Sequence, residues 1–214
     1  MNLSFSKEAP ENVYENYRRI AKACSFSGNF VLTRQEHTDI VNVCEYADGF
    51  VTHNDAVDGL VTNKENITLT VFVADCVPIL IADPVTRSVS AVHSGWRGTA
   101  KKISLKAIKL MTEKYNAKPC NLVALIGPCI SKCCYEVGQD VFDGFNAPEF
   151  FTKKPDGKYM LDLKGANKKV LMDAGIKEQN IHVTEECTFC KSDLYYSHRA
   201  SKGLRGNFAA MIEI

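Results

Sequence analysis

VFVADCVPILIADPVTRSVSAVHSGWRGTA, residues Val71–Ala100, is the stretch around which the rest of the chain is organised. The apolar run Ile67–Ala74 ends in Asp75-Cys76, a second run (Val77–Ala82) stops at Asp83-Pro84, and a third (Ser88–Val92) ends in His93. Short apolar runs cut by turn residues predict buried strands. Ser94-Gly95-Trp96-Arg97-Gly98 follows and leads into a lysine-rich amphipathic segment. The reactive residue types Asp75, Cys76 and His93 thus fall at strand ends, where a rigid sheet presents side chains to a cleft.

On the N-terminal side, Glu11–Cys24 carries Val13, Tyr17, Ile20 and Cys24 at helical spacing. Phe30–Thr33 and Asp39–Val43 read as strands flanking Arg34-Gln35-Glu36-His37, Asp48–Asp58 as a polar loop with an exposed His53, and Gly59–Thr62 as a brief strand. On the other side, Thr99–Tyr115 predicts one helix, with Ala100, Ile103, Ala107, Leu110 and Met111 forming its apolar stripe. Its lysines form a solvated outer face. Asn121–Ile126 is a buried strand ending in Gly127-Pro128-Cys129, followed by a cysteine-rich turn (Ile130–Tyr135), a short helix (Gly138–Phe145) and a loop (Asn146–Tyr159). Asp162–Ala174 predicts a helix capped by Gly175, and Ile181–Thr184 and Asn207–Ile214 predict strands, the last half exposed. Strands and helices mix without strict βαβ alternation. The expectation is an α+β (mixed α/β) fold, a single domain of mixed β-sheets flanked by helices.

A chain of 214 residues can bury a full core without staples. Lys+Arg 26 against Asp+Glu 25 leaves a net charge of +1, which gives no electrostatic case for nucleic acid or an anionic membrane. No apolar run approaches the roughly 20 residues of a membrane span, and no export signal opens the chain. Nine cysteines in that setting predict reduced thiols and a cytoplasmic location rather than a disulfide framework.

His37, Cys76 and His93 are residue types that bind zinc, and three protein ligands with an open fourth position distinguish a catalytic zinc from a structural one. Their spacing alone is weak evidence. A buried Cys76 acting as a small hydrophobe and a hydrogen-bonded core His93 explain the same residues.

Longer motifs weigh more. Ala74-Asp75-Cys76-Val77-Pro78, Ala91-Val92-His93-Ser94-Gly95-Trp96-Arg97-Gly98 and Gly127-Pro128-Cys129-Ile130 through Tyr135-Glu136-Val137-Gly138 occur in order. With them come Gln35-Glu36-His37, Asp58-Gly59-Leu60-Val61-Thr62, and Cys187-Thr188 with Tyr195-Tyr196-Ser197-His198-Arg199. Together they resemble the YfiH/YlmD family, also called the laccase-domain or multicopper polyphenol oxidase family, which includes FAMIN.

The resemblance covers nearly the whole chain and implies a zinc-dependent purine nucleoside enzyme. Family members phosphorolyse adenosine, inosine, guanosine and methylthioadenosine, and deaminate adenosine to inosine; the implied partners are a purine nucleoside and phosphate. The family's metal triad corresponds to His37, Cys76 and His93, where copper is an alternative to zinc on donor chemistry. Asp75, beside Cys76, is the expected proton carrier. Arg97, with Gly95 and the backbone of the following helix start, is the expected phosphate contact, and Arg199 a further substrate contact. The family's opening strand and arginine-bearing turn have no counterpart, since Met1-Asn2-Leu3 corresponds to a later Leu-Asn element.

Two other signatures fail. Multicopper clusters need many histidines in His-x-His pairs, and the five here form none, which leaves a copper-dependent, laccase-type polyphenol oxidase with a single copper at His37, Cys76 and His93 as an alternative. Zinc nucleobase deaminases carry His-x-Glu and Pro-Cys-x-x-Cys, whereas Thr38-Asp39 follows His37, and Cys133 lies one residue too far from Cys129. Cys129, Cys133, Cys134, Cys187 and Cys190 are either the donors of a second, structural zinc, with Cys187-x-x-Cys190 spaced as one half and the other half irregular, or a set of ordinary thiols. The rival to a metal enzyme is a metal-free cysteine hydrolase with Cys76 as nucleophile and His93 as base. His37 separates the two, because a dyad can dispense with it.

Overall fold

Along Phe30–Thr33 (β1), Phe30 and Leu32 pack on one side and Val31 on the other, and all three are buried. A strand buried on both faces must lie between two layers. In this computed structural model, which describes residues 1–3, 5, 8–54 and 56–214 without the side chains of 52–54, the layers are a helix, two sheets and more helices.

The outer helix is Pro10–Cys24 (α1), which starts on a proline and ends at a left-handed Ser25. Its Val13 and Tyr17 cover Phe30 and Leu32. The first sheet has the order β13-β5-β1-β3, from Phe208–Ile212, Thr68–Val73, β1 and Val51–Asn54. The second has the order β12-β8-β6-β7-β4-β2, from Ile181–Val183, Val123–Ile126, Val77–Asp83, Ser88–Ser94, Gly59–Thr62 and Val41–Val43. Both sheets mix parallel and antiparallel pairs. Val31, Leu69 and Val71 of the first sheet meet Leu60, Val89 and Ala91 of the second. On the far face, Ile79, Ile81, Val61 and Val92 pack against Ile103–Tyr115 (α3) and Leu163–Asp173 (α5) through Ile103, Ala107, Met111 and Leu171.

The mixed α/β domain is therefore as expected, and several local readings are corrected. The helix expected over 99–115 is two helices, Trp96–Ala100 (α2) and α3, because Lys102 adopts φ 56° and breaks the ladder. The strand expected to end at Val92 runs on, so His93 lies inside β7. The loop over 146–159 contains Phe151–Lys153 (β10) and the start of Tyr159–Leu161 (β11). These pair antiparallel and, with Glu136–Val137 (β9), make a third small sheet beside Gln139–Phe145 (α4). The polar loop over 48–58 contains β3, and the His53 side chain lies outside the described residues. Ala174 caps α5, and Gly175 follows it with φ 97°. Among the described residues, no helix is long and apolar enough to cross a membrane.

One consequence of the topology positions the chemistry. β1 and β5 are parallel neighbours, so the links that leave them emerge side by side and cross together to the second sheet. The link 34–40 carries His37, and the link 74–76 carries Asp75 and Cys76.

Candidate metal centre and cavity

His37, Cys76 and His93 converge. Their donor atoms all lie within 4.8 Å of one another, with Cys76 Sγ 3.7 Å from His37 Nε2 and the two imidazoles edge to face at 4.9 Å. His37 and Asp75 both hold left-handed backbones, φ 58° and 90°, a conformation that costs a non-glycine residue of order 1–3 kcal/mol unless its surroundings enforce it.

For His37 the enforcer is Asp58. This carboxylate is fully buried at the head of β4 and accepts from the backbone N–H groups of Glu36 (3.3 Å), His37 (3.1 Å) and Thr38 (2.7 Å) and from Thr38 Oγ1 (2.7 Å). Its Oδ1 also accepts from His93 Nδ1 at 2.7 Å. One carboxylate thus bends the His37 turn and fixes the His93 ring, leaving His93 Nε2 as the free donor toward Cys76. Burial pushes the Asp58 carboxyl up, but the hydrogen bonds from His93 and Thr38 outweigh it and hold the carboxyl below its ordinary range. Burial likewise raises the Cys76 thiol, yet the charge of His93 and the bond to His37 bring it down to about 6. His93 is lowered by burial and raised further by Cys76 and Asp58, to about 9. The two shifts support each other and both favour a thiolate facing an imidazolium.

Asp58 was not singled out as a site residue from sequence. The available signal was an acidic residue heading a wholly buried strand, Gly59–Thr62.

Asp75 lines the cavity, but both its oxygens are engaged: Oδ1 accepts from Thr188 Oγ1 (2.6 Å) and Oδ2 from the Arg199 N–H (2.7 Å). It tethers the C-terminal loop to the cysteine link. Gly95 serves by what it lacks. A Cβ there would lie 2.9 Å from His37 Cδ2 and 3.2 Å from Cys76 Sγ. Gly95→Ala is therefore expected to cost about 1–3 kcal/mol of stability through overpacking and to lower metal content in the same protein, read by thermal unfolding and elemental analysis. Unchanged metal content would show that the triad tolerates displacement. Arg97 is exposed, its guanidinium 4.4 Å above the Trp96 ring, and it is not among the residues lining the cavity. Behind it, Ser94, Thr99 and Asn167 form a buried hydrogen-bonded set that fastens α2 and α5 to the end of β7.

The triad opens into a cavity of about 830 Å³, within the size range of small-molecule sites. Phe72, Trp96 and Tyr135 supply flat apolar surface, and Arg34, Arg199 and Arg205 supply positive charge. Arg34 is spent on Glu36 (3.2 Å), while Arg199 donates to the Glu136 carbonyl (2.8 Å) and lies 5.6 Å from the Tyr135 ring centre. Arg205 Nε is buried without a hydrogen-bond partner, while its Nη1 donates to the Gly206 carbonyl (3.3 Å) and to Asn207 Oδ1.

A family model described as multi-copper polyphenol oxidoreductase laccase matches residues 1–214. A purine nucleoside phosphorylase, YlmD, from Bacillus subtilis is 38% identical over 162 residues, covering 73% of this chain and 58% of that protein. An adenosine deaminase, RL5, from an unknown prokaryote is 34% identical over 151 residues, covering 68% of this chain and 57% of that protein. The chain spans little more than half the length of these two relatives. The crystal structure of the Bacillus licheniformis hypothetical protein YfiH superposes with a TM-score of 0.93 at 31% identity, covering all of this chain and 85% of that one.

Proposed function

This chain belongs to the multi-copper polyphenol oxidoreductase laccase family, and from that premise we propose that it is a metal-dependent purine nucleoside enzyme. Its reactions would be phosphorolysis of adenosine, inosine, guanosine and methylthioadenosine, and deamination of adenosine to inosine. The observation that carries the reading is the convergence of one thiol and two imidazoles on the wall of a cavity that also has aromatic and cationic lining. The donor set fits a metal: His93 is oriented through its other nitrogen, and the absent Gly95 side chain leaves room at the triad. Zinc is the proposed ion, with copper the alternative at the same three ligands. Bound there, it would supply Lewis acidity beside the cavity.

The chain's own residues do the rest. Phe72, Trp96 and Tyr135 give the purine surfaces to stack on. In phosphorolysis, a phosphate oxygen bonds to the ribose carbon as its bond to the base nitrogen breaks, so an anion must be held beneath the sugar. Arg205, with an unspent buried N–H, and Arg199 suit that role better than Arg97, which stacks outside on Trp96. Asp75 acts as a positioning residue for the wall that carries Arg199.

The test is adenosine with and without phosphate, following adenine and inosine by chromatography, before and after chelation. Base release that requires phosphate, disappears on chelation and returns with zinc is expected; absence of turnover on all four nucleosides would end the reading. In the same assay, Arg205→Lys is expected to weaken phosphate-dependent base release at least about tenfold, equivalent to about 1.4 kcal/mol, with inosine formation falling much less. Equal losses would mean that Arg205 orients the nucleoside instead.

A second reading has one specific support. The thiolate-imidazolium pair of Cys76 and His93, with Asp58 behind the imidazole, is the arrangement of a cysteine hydrolase. It predicts activity that survives chelation and the change His37→Ala. The metal reading predicts loss under both.

A further inference from the structure

Four cysteines outside the triad come together from two loops that are far apart in sequence. β8 and β12 are parallel neighbours, so the segments after them leave the sheet at the same end and run side by side, joined by a backbone bridge between Cys129 and Cys187. A turn at Ser131, which accepts from the N–H groups of Cys134 and Tyr135, presents Cys133 and Cys134. Across from it, the Cys187 carbonyl accepts from the Lys191 N–H and closes a turn over Cys187-Thr188-Phe189-Cys190. The Sγ atoms of Cys133, Cys134, Cys187 and Cys190 all lie within 4.8 Å of one another, at 3.8 Å for Cys133–Cys190 and 3.3 Å for Cys134–Cys190. None is in a disulfide.

Four sulfurs about 2.3 Å from one zinc ion stand at the corners of a tetrahedron with edges near 3.8 Å, which is the scale of this cluster. Cys187 Sγ also receives the Ser131 N–H at 3.3 Å, a donor that suits a thiolate better than a thiol. We propose that Cys133, Cys134, Cys187 and Cys190 form a structural zinc site, separate from the triad, closed by four protein ligands and taking no substrate. The buried Cys129 is not one of the ligands, and Cys187-x-x-Cys190 is half of the set rather than a redox motif.

Its work is mechanical. The two loops it joins carry Tyr135 on one side and Arg199 on the other, both on the cavity wall, and Thr188 beside Cys187 reaches the Asp75 carboxylate. A zinc ion binding four deprotonated thiols would clamp that wall against the cysteine link, releasing protons as it binds.

The test uses the full chain expressed with supplementary zinc. Elemental analysis of wild type is expected to give two zinc ions per chain. His37→Ala/Cys76→Ala, which removes two triad donors, is expected to keep one. Cobalt-loaded His37→Ala/Cys76→Ala should then show the intense visible bands and near-ultraviolet sulfur-to-metal charge transfer of a four-thiolate tetrahedron. Cys133→Ser/Cys190→Ser, both at exposed positions, is expected to lose one zinc and keep the other. The site is overturned if the triad-deficient protein binds no metal while folded, if its cobalt spectrum lacks thiolate bands, or if intact mass shows a Cys134–Cys190 disulfide in protein purified under reducing conditions. Should the serine variant fail to fold, the triad-deficient protein still decides the matter, since its four cysteines are untouched.

Discussion

Cys76→Ala is expected to abolish nucleoside turnover, lowering kcat/KM by at least about 10³-fold, the equivalent of about 4 kcal/mol of barrier, while the protein still folds. Cys76 is the sulfur donor of the triad, its Sγ 3.7 Å from His37 Nε2. It is also the counter-charge that pushes His93 up to about 9. Removing it takes away the softest ligand and leaves two imidazoles, which hold a metal weakly. The fold should survive because Cys76 is half-buried in the link between β5 and β6, facing the cavity, while the cores on either side are built by Val71, Val77 and Ile79. Circular dichroism and thermal unfolding check the second half of the expectation, and elemental analysis with the nucleoside assay checks the first. A variant that unfolds on expression would make Cys76 structural. One that folds without metal and still turns over would remove the triad from the chemistry.

How much of this could be read beforehand depended on whether a feature was local. β1 and β4 have the expected bounds because their apolar runs start and stop sharply, at Phe30–Thr33 and Gly59–Thr62. The break at Lys102 was invisible, since lysine is a good helix former and nothing in 99–115 marks a left-handed residue. Strands of two or three residues such as Glu136–Val137 and Phe151–Lys153 carry too little pattern to register, and they exist because they pair with Tyr159–Leu161. The site shows the same division. The residue types of His37, Cys76 and His93 gave only a weak signal of a ligand set until longer motifs were weighed with them, because their convergence follows from parallel pairing of β1 with β5 and from β7 running alongside β6. Arg97 was legible beside its glycines, yet which face it takes is decided by the Trp96 ring beneath it. Asp58 was hidden most completely, because each partner of its carboxylate lies 20 to 35 residues away.

That concealment makes Asp58→Asn the sharper probe of how the centre is held. The carboxylate accepts from three consecutive backbone N–H groups, a hydroxyl and an imidazole, with no exposure to water. Asparagine has nearly the same shape but only one acceptor oxygen, and its NH₂ would turn two donors toward groups that are themselves donors. Breaking a buried charged arrangement of this kind costs about 3–5 kcal/mol, so the midpoint of denaturant unfolding should fall clearly without loss of the folded baseline. The effect on metal is separable from that loss. With Asp58 changed, the one remaining oxygen can serve either the His37 N–H and His93 Nδ1 or the Glu36 and Thr38 donors, so either the His93 ring loses the partner that fixes its tautomer or the His37 turn loses most of the bonds that hold φ at 58°. Loss of such a partner behind a ligating histidine typically weakens metal binding by about 10–100-fold. The variant should therefore need about 10–100-fold more free zinc than wild type for half-occupancy, and excess zinc should restore most of its turnover. Cys76→Ala should not be rescued that way, since it lacks a ligand rather than the support of one. If Asp58→Asn loses stability but binds zinc with wild-type affinity, Asp58 merely holds two segments together, and the geometry of the triad has another source.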